Sequence, residues 1–218
     1  MNTENLYNNK TNGYYENIRD DIISLIPDGS NKILEVGCGK GYTLRKLKAI
    51  GKADKIIGIE INENSIQEAK KYLDNILFGN IEEINFLPYN RNYFDVIIFA
   101  DVLEHLVNPW NVLKMIRHYL NDRGFIIATI PNMRHKSIIL PLILKGIFQY
   151  NQEGGAMDIS HLRFFTRRSV LSLFKNSGYS KVHFIDYPLS IKANIATSLS
   201  FGLLRDFFIF KFRVMVEK

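Results

Sequence analysis

The sequence has little cysteine and no long apolar run, and each shortage excludes a class of protein. Its one cysteine, Cys38, excludes an intramolecular disulfide and a zinc site built from several cysteines. No uncharged apolar run reaches the length of about 18 residues that a membrane-spanning helix needs. Residues 1–10 are polar and rich in asparagine, and they lack the apolar centre of a secretion signal. These observations predict a cytoplasmic protein in a reducing compartment.

The positive charge of the chain is concentrated in its last part. The whole sequence carries 28 Lys and Arg against 22 Asp and Glu, a net charge of +6. Residues 1–132 hold 15 basic and 17 acidic side chains, whereas residues 133–218 hold 13 and 5, a net of +8. Such an excess is typical of a solvated basic surface, of a site for an anionic acceptor, or of contact with an anionic membrane. If the acceptor carries phosphate, we expect Arg134, Arg163 or Arg167 near it. There is no arginine-rich arm, so nucleic acid is not the expected partner.

Short β-like runs alternate with amphipathic helical patterns along the chain. The predicted strands cover residues 32–36, 55–60, 76–78, 94–100, 124–130, 181–187 and 208–216. The predicted helices cover residues 14–26, 41–50, 62–73, 109–119, 137–150 and 167–177. This alternation predicts an α/β fold with a doubly wound, mostly parallel seven-stranded sheet. We expect a single domain over residues 1–218, with a flexible tail at 1–13 and a helical lid insertion at 132–165, after the fifth strand.

A glycine-rich loop follows the first predicted strand, in the run E-V-G-C-G-K-G that begins at Glu35. Glycines at Gly37 and Gly39 let the backbone turn tightly and approach a ligand closely. The spacing does not fit the dinucleotide fingerprint G-x-G-x-x-G, and the phosphate-binding loop G-x-x-x-x-G-K-[ST] is absent. Glu35 would repel a pyrophosphate but would attract an ammonium group.

A second carboxylate, Glu60, ends the second predicted strand. A carboxylate at this place in an α/β fold accepts hydrogen bonds from ribose hydroxyls. Two carboxylates without a phosphate-binding device suit a ligand that combines an adenosine, an amino acid end and a cationic sulfonium. The glycine spacing disfavours the alternative of a nicotinamide oxidoreductase.

These motifs resemble those of class I S-adenosylmethionine-dependent methyltransferases. The run from Ile33 to Gly41 looks like their first motif, Glu60 matches their ribose-binding acid, and residues 79–82 resemble their G-D-[IA]-E segment with Asn80 in place of Asp. The resemblance extends over residues 14–218 and implies S-adenosylmethionine as the cofactor. The residues that it implies for cofactor binding are Tyr14, Tyr15, Glu35, Gly37, Cys38, Gly39, Glu60, Ile61, Asn80, Ile81, Ala100 and Asp101.

Further runs are similar to a bacterial and archaeal branch of this class that is often found beside glycosyltransferases of surface-polysaccharide synthesis. They are Tyr14-Tyr15 with Arg19, and the segments at 101–110, 130–132 and 161–166. This resemblance predicts O-methylation of a sugar or glycan-pathway intermediate, with a small-molecule or glycan acceptor, anionic in character, and a glycosyltransferase as partner. Two alternatives stay open: a methyltransferase acting on RNA or on a small aromatic, quinone-like acceptor, and a non-catalytic cofactor-binding module that regulates a glycosyltransferase.

The catalytic candidates are His161 in the insertion, and Asp101 and His105 after the fourth strand. Histidine titrates near neutral pH, so His161 is the first candidate for the base that removes a proton from the acceptor. If residues 101–106 are helical, Asp101, Glu104 and His105 share a face. With His161 they would resemble the metal-site pattern of methyltransferases that act on small-RNA termini and ubiquinone precursors. Because Mg²⁺ prefers oxygen ligands, we expect no metal.

The segment 199–212 is rich in Phe and Leu and carries Arg205 and Lys211. It predicts a final helical turn and an edge strand packed on the sheet. The alternative is peripheral contact with an anionic membrane.

Overall fold

The computed structural model describes residues 17–152 and 154–218. One sheet forms its centre, made of β1 (Asn31–Val36), β2 (Ala53–Glu60), β3 (Asn75–Phe78), β4 (Phe94–Ala100), β5 (Leu120–Pro131), β6 (Lys181–Phe184) and β7 (Lys211–Glu217). The seven strands lie in the order β3-β2-β1-β4-β5-β7-β6. The first five are parallel, and β7 is antiparallel to both of its neighbours. The predicted seven-stranded, mostly parallel sheet is confirmed.

Helices connect the strands on both sides of the sheet. They are α1 (Asp20–Ile23), α2 (Tyr42–Ala49), α3 (Glu63–Ala69), α4 (Pro109–Arg117), α5 (Lys136–Lys145), α6 (Arg167–Asn176), α7 (Ile191–Leu199) and α8 (Arg205–Phe208), with a 3₁₀ helix at Leu103–His105. Of the helices in the described part of the chain, none combines the length and hydrophobicity that a bilayer-spanning segment requires.

Separate hydrophobic cores cover the two faces of the sheet. Along β4, Val96 and Ile98 belong to one core, and Ile97 and Phe99 belong to the other. All four side chains are fully buried. Successive side chains of a strand point to opposite faces, so a strand that is covered on both sides must be apolar at every position. This explains the unbroken apolar run that predicted β4.

Several predicted boundaries differ from the structure. The expected helix at 14–26 is helical only over Asp20–Ile23 among the described residues, and the predicted tail at 1–13 lies outside them. The helix expected at 137–150 ends at Lys145, because Gly146 takes a left-handed conformation with φ 64°. Helix α7 was not predicted from the sequence.

The expected edge strand near the end of the chain is wrong. Strand β7 lies inside the sheet, where it pairs with β5 on one side and with β6 on the other. Its alternate residues Phe212, Val214 and Val216 are fully buried, and their neighbours Lys211 and Arg213 are partly exposed. The alternation fits a strand with one covered face, which occurs inside an antiparallel sheet as readily as at its edge.

Two irregular segments lie at the same edge of the sheet, next to the end of β5. The insertion at 132–165 begins where β5 ends, and the segment at 185–210 precedes β7, which starts beside the end of β5. Asn132 is fully buried and joins the two segments. Its side-chain amide donates to the carbonyls of Asp206 (2.6 Å) and Ile209 (2.7 Å), and its backbone N–H donates to the carbonyl of Phe210 (3.0 Å). The role of the insertion as a lid stays a prediction.

Replacement of Asn132 by alanine should destabilise the fold. Asn132→Ala removes the donor from two buried carbonyls, and unsatisfied groups of this kind cost about 1–3 kcal/mol each. We expect the free energy of unfolding to fall by about 2–4 kcal/mol in urea titrations. Asn176→Ala is the matched control, because its exposed amide donates to the Ser172 hydroxyl at the surface. Equal unfolding midpoints for the two variants would contradict this account of Asn132.

Candidate active site

A cavity opens at the carboxyl ends of β1, β2 and β4, the edge where ligands bind in open α/β sheets. All of the predicted cofactor residues that the structure describes line it, and they are Glu35, Gly37, Cys38, Gly39, Glu60, Ile61, Asn80, Ile81, Ala100 and Asp101. His105 also lines it. Tyr14 and Tyr15 lie outside the described residues. The parallel sheet therefore brings residues from four separate stretches of sequence to one site.

The glycine-rich loop turns through conformations that favour glycine. Gly37 and Gly39 have φ of 70° and 54°, in the left-handed region. A Cβ added at Gly37 would lie 2.7 Å from the Val102 side chain. The loop is fixed by backbone bonds, because the N–H groups of Gly37 and Cys38 both donate to the Ile59 carbonyl. The backbone itself thus forms this wall of the cavity, as the sequence predicts.

Glu60 joins the loop after β1 to the loop after β2. One carboxylate oxygen accepts from the Gly39 N–H at 2.7 Å, and the other accepts from Ile61 at 2.9 Å and Asn62 at 2.8 Å. Burial raises the pKa of Glu60, and these three hydrogen bonds oppose the rise. A carboxylate has about four lone-pair sites, so Glu60 keeps acceptor capacity on the cavity side.

Glu35 is buried beside the same cavity. Its Oε2 atom has no hydrogen-bond partner among the residues that the structure describes. Burial raises the pKa of Glu35 to about 8, the nearby charge of Arg19 opposes the rise, and that of Glu60 adds to it. A buried carboxylate without a partner fits a ligand that brings a cationic group into the cavity.

Asp101 lies at the rim of the cavity in a left-handed conformation, with φ 58°. Its Oδ2 accepts from Arg19 Nη1 and from Lys211 Nζ, each at 2.7 Å, and its Oδ1 accepts from the Thr129 hydroxyl at 2.9 Å. The 3₁₀ helix begins only at Leu103, so the condition of a helix over residues 101–106 is not met. Asp101 therefore does not share a face with the acid and the histidine that follow it.

Sequence reasoning assigned no role to Arg19 or Lys211. Both lie more than 80 residues from Asp101 along the chain. No local pattern signals such a pairing, which exists because α1 and the start of β7 meet at the carboxyl end of β4.

Glu104, His105 and His161 form a buried cluster next to the cavity. One ligand atom from each lies within 4.8 Å of the others, and the two imidazole ring centroids are 4.6 Å apart. The insertion is fastened here, because the N–H groups of Leu162 and Arg163 donate to the Glu104 carbonyl at 2.8 and 2.9 Å. The structure thus brings together His105 and His161, which are 56 residues apart, although His161 does not itself line the cavity.

The electrostatics of this cluster are set by Glu104. Neither of its carboxylate oxygens has a hydrogen-bond partner in the described chain. Burial raises the pKa of Glu104 well above its usual range, and the nearby charge of Asp101 adds to the effect. One carboxylate and two imidazoles form a donor set that suits Zn²⁺ or Mn²⁺ better than Mg²⁺. The expectation of no metal stays a prediction.

Each histidine donates through Nδ1 to a backbone carbonyl. His105 Nδ1 lies 3.1 Å from the Ser160 carbonyl, and His161 Nδ1 lies 3.1 Å from the Ala156 carbonyl. A carbonyl oxygen can only accept, so the Nδ1 atoms carry the protons. In the neutral rings Nε2 is then the basic atom.

Two of the arginines expected near a phosphate, Arg163 and Arg167, hydrogen-bond to neighbouring groups of the fold. Arg167 donates to Asp206 at 2.7 Å and to Asp186 at 2.9 Å. Arg163 Nε donates to the Val107 carbonyl at 3.1 Å. The expectation of an anionic acceptor stays a prediction.

The doubly wound sheet, the glycine loop and the two carboxylates define a class I S-adenosylmethionine-dependent methyltransferase. Residues 11–184 match a family model described as a methyltransferase domain. The match covers more than half of the chain, so the chain belongs to this family, and its cofactor is S-adenosylmethionine. The Glu35 oxygen that has no partner among the described residues fits such a ligand.

Similar proteins support the same class. A ubiquinone biosynthesis O-methyltransferase of Bradyrhizobium diazoefficiens is 26% identical over 53% of this chain and 46% of its own length. A demethylmenaquinone methyltransferase of Oceanobacillus iheyensis is 23% identical over 73% of this chain and 74% of its own. The chain spans about half the length of the first of these relatives.

Solved structures share the fold. That of a SAM-dependent methyltransferase from Archaeoglobus fulgidus has a TM-score of 0.67 at 16% identity, over 94% of this chain and 96% of the other. One from Mesorhizobium loti has a TM-score of 0.63 at 14% identity, over 91% and 96%. At these identities the structures show a common architecture alone.

The buried acid Glu35 should make the cofactor-free protein less stable as the pH rises. Its ordinary pKa is 4.5, and in the folded chain it is about 8. Below pH 4.5 both states hold the proton, and between these values the unfolded state releases it first. The free energy of unfolding should therefore fall with rising pH, by up to about 1.4 kcal/mol per pH unit from this group.

Urea unfolding of Glu35→Gln from pH 5 to pH 8 tests this account. The variant cannot ionise, so its stability should depend less on pH than that of the wild type. Glu63→Gln is the control, because Glu63 is exposed in the first turn of α3. If the free energy of unfolding changed with pH in the same way for the wild type and Glu35→Gln, this account of Glu35 would be wrong.

Proposed function

We propose that this chain transfers the methyl group of S-adenosylmethionine to a hydroxyl of an aromatic, quinone-like acceptor. The observation that carries the proposal is the apolar lining of the cavity beyond the two carboxylates, with one histidine in it. The names of the curated relatives, a ubiquinone biosynthesis O-methyltransferase and a demethylmenaquinone methyltransferase, favour this alternative over the sugar acceptor.

One wall of the cavity is suited to a flat apolar molecule. Val102, Leu106 and Val107 line it, with His105 between them. A sugar needs several hydrogen-bond donors and acceptors, and this wall offers few, whereas a planar ring gains from apolar contact. The apolar wall supports the proposal of an aromatic acceptor.

An aromatic cluster lies beside this wall. The rings of Phe148, Tyr150 and Phe164 contact one another with centroids 5.9 to 6.2 Å apart. Phe164 follows Arg163, which is bonded to the Val107 carbonyl, so the cluster is held close to the apolar end of the cavity. Aromatic side chains pack well on planar rings. The cluster offers exposed apolar surface on the insertion.

Residues at or just after the ends of β1, β2 and β3 would each bind a different part of the cofactor. Glu35 would pair with the ammonium group, Glu60 with the ribose hydroxyls, and Asn80 with Ile81 along the adenine. S-adenosylmethionine supplies a methyl group that its sulfonium already activates. What remains for the chain is to position the acceptor, exclude water and take up the hydroxyl proton.

His105 is placed to take up that proton. It lines the cavity, and its Nδ1 donates to the Ser160 carbonyl, which leaves Nε2 as the basic atom. His161 packs against the His105 ring and positions it. We therefore assign to His105 the role of catalytic base that the sequence suggested first for His161. Asp101 orients Arg19 and Lys211 at the rim.

Loss of the Glu60 carboxylate should weaken cofactor binding. Glu60→Gln cannot accept from all three loop amides and loses charge-assisted bonds to the ribose, so affinity should fall by about 1–3 kcal/mol. Titration calorimetry with S-adenosylmethionine measures it. Glu63→Gln, which changes an exposed acid three residues away, should bind as the wild type does. Equal affinities for the two variants would remove Glu60 from the ribose site.

Loss of the His105 imidazole should slow turnover. With a soluble hydroquinone as acceptor, His105→Ala should lower kcat by about 10²–10⁴-fold, the usual range for loss of a general base. Cofactor affinity should change little, because Glu35, Glu60 and Asn80 lie at or just after the ends of other strands. His183→Ala is the control, because that histidine is half-exposed on β6. Wild-type kcat for His105→Ala at saturating acceptor would contradict the assignment.

A chelator and Glu104→Gln separate a base from a metal site. If His105 acts as a base alone, EDTA should have no effect and Glu104→Gln should keep most of the activity. If the cluster holds an ion, EDTA should abolish turnover, added Zn²⁺ or Mn²⁺ should restore it, and Glu104→Gln should be as slow as the histidine variants. Turnover of sugar phosphates but not of hydroquinones would overturn the proposed acceptor.

A further inference from the structure

Two helices, α5 and α7, expose large apolar side chains. The basic apolar face is defined here as α5, α7 and the turn at 200–204. Its most exposed members are Ile143 (72%), Leu144 (73%), Ile191 (80%), Leu199 (78%), Phe201 (97%) and Leu203 (74%). An exposed apolar patch of this kind marks a surface that binds something.

Helix α5 is apolar around most of its circumference, yet it is not part of the core. Between Lys136 and Lys145 its sequence is S-I-I-L-P-L-I-L, and its one buried residue is Ile138. A helix that is apolar on every side normally lies in a protein core or a membrane. The fold of the described residues does not supply that cover.

Phe201 adds a second, independent sign. Its φ is 51°, in the left-handed region that a bulky residue enters only at a cost in free energy. Its ring is almost wholly exposed, so the packing of the described residues does not repay this cost. The turn holds a phenylalanine outward at the end of α7.

The charges of the face select its partner. Residues 132–152 contain Arg134, Lys136 and Lys145 and no acid, and residues 187–205 contain Lys192 and Arg205 and no acid. Arg134 and Arg205 are paired with Asp206 and Asp186 behind the face. Lys136, Lys145 and Lys192 form no salt bridge with any described residue. The face therefore combines apolar side chains with lysines alone.

An anionic surface complements this arrangement. Against a second copy, the same lysines would oppose each other. Against an anionic bilayer, the lysines meet lipid phosphates while the apolar side chains enter the acyl boundary.

The face lies at the same edge of the sheet as the cavity. Arg134 Nη2 donates to the Leu203 carbonyl at 3.5 Å, and Lys136 Nζ lies 5.5 Å from the centre of the Phe208 ring. These contacts hold the start of α5 against the segment that leads into β7. The insertion begins at the end of β5, and the other segment ends beside it, next to β4 and its rim residue Asp101.

We propose that the basic apolar face docks on an anionic lipid bilayer and turns the cavity toward it. Docking does not depend on which acceptor is methylated, so the inference goes beyond the proposed function. An acceptor dissolved in the bilayer would then reach the cavity without crossing water.

Co-sedimentation with vesicles tests the inference. The full chain should pellet with vesicles of phosphatidylcholine mixed with phosphatidylglycerol at low salt, and much less with phosphatidylcholine alone. High salt should reduce the bound fraction without abolishing it, because salt screens the lysines but not the apolar contacts. Neither lipid is an acceptor, so this result is independent of the proposed reaction.

Variants locate the surface. Ile143→Glu with Leu144→Glu, and separately Phe201→Glu, should each weaken partitioning by about tenfold or more, since each places a carboxylate where an apolar group would be buried. Ile50→Glu is the matched control, because this half-exposed isoleucine follows α2 at the opposite edge of the sheet. All variants should retain wild-type affinity for S-adenosylmethionine, which shows that they fold.

Two outcomes would overturn the inference. One is no pelleting with anionic vesicles at low salt, or pelleting that the α5 and Phe201 variants leave unchanged. The other is a dimer in light scattering that these variants dissociate while vesicles fail to bind, which would assign the face to a second copy of the chain.

Discussion

The carboxylate of Glu60 is the interaction on which the geometry of the cavity depends. It accepts three backbone N–H groups from two loops, and these loops meet only because β1 and β2 are parallel neighbours. Without it the Gly39 amide would lose its acceptor, and the turn after β1 would not be held against β2. One side chain thus fixes the shape of the cofactor site before any ligand enters.

Two other buried acids place a cost on the fold. Glu35 and Glu104 are both buried, and both have carboxylate oxygens without a partner in the described chain. Burial of a polar group without a hydrogen bond is unfavourable, and stable proteins keep such groups mainly at sites of function. One acid faces the cavity and the other faces two imidazoles. Each of these two carboxylates destabilises the fold while it is ionised and unpaired. A bound cation or a proton on the carboxylate offsets that cost.

The sequence predicted those structural features that are determined by residues close together along the chain. The apolar run of β4 and the glycines after β1 follow from burial on two faces and from left-handed turns, so the sequence indicates them directly. Two features depended on distant residues and were missed. The turn at Asp101 is stabilised by Arg19 and Lys211, and β7 enters the sheet between β5 and β6 although its own pattern fits an edge strand equally well.

Helix α7 was missed for a different reason. A helix is recognised in a sequence by the periodic burial of one face, and in α7 only Ala193 is buried. The same property makes its exposed side, together with α5, available to a partner. Leu162 and Arg163 bond the insertion to the Glu104 carbonyl, and α5 belongs to that insertion. The exposed surface of α5 and the backbone bonds to Glu104 therefore belong to one insertion.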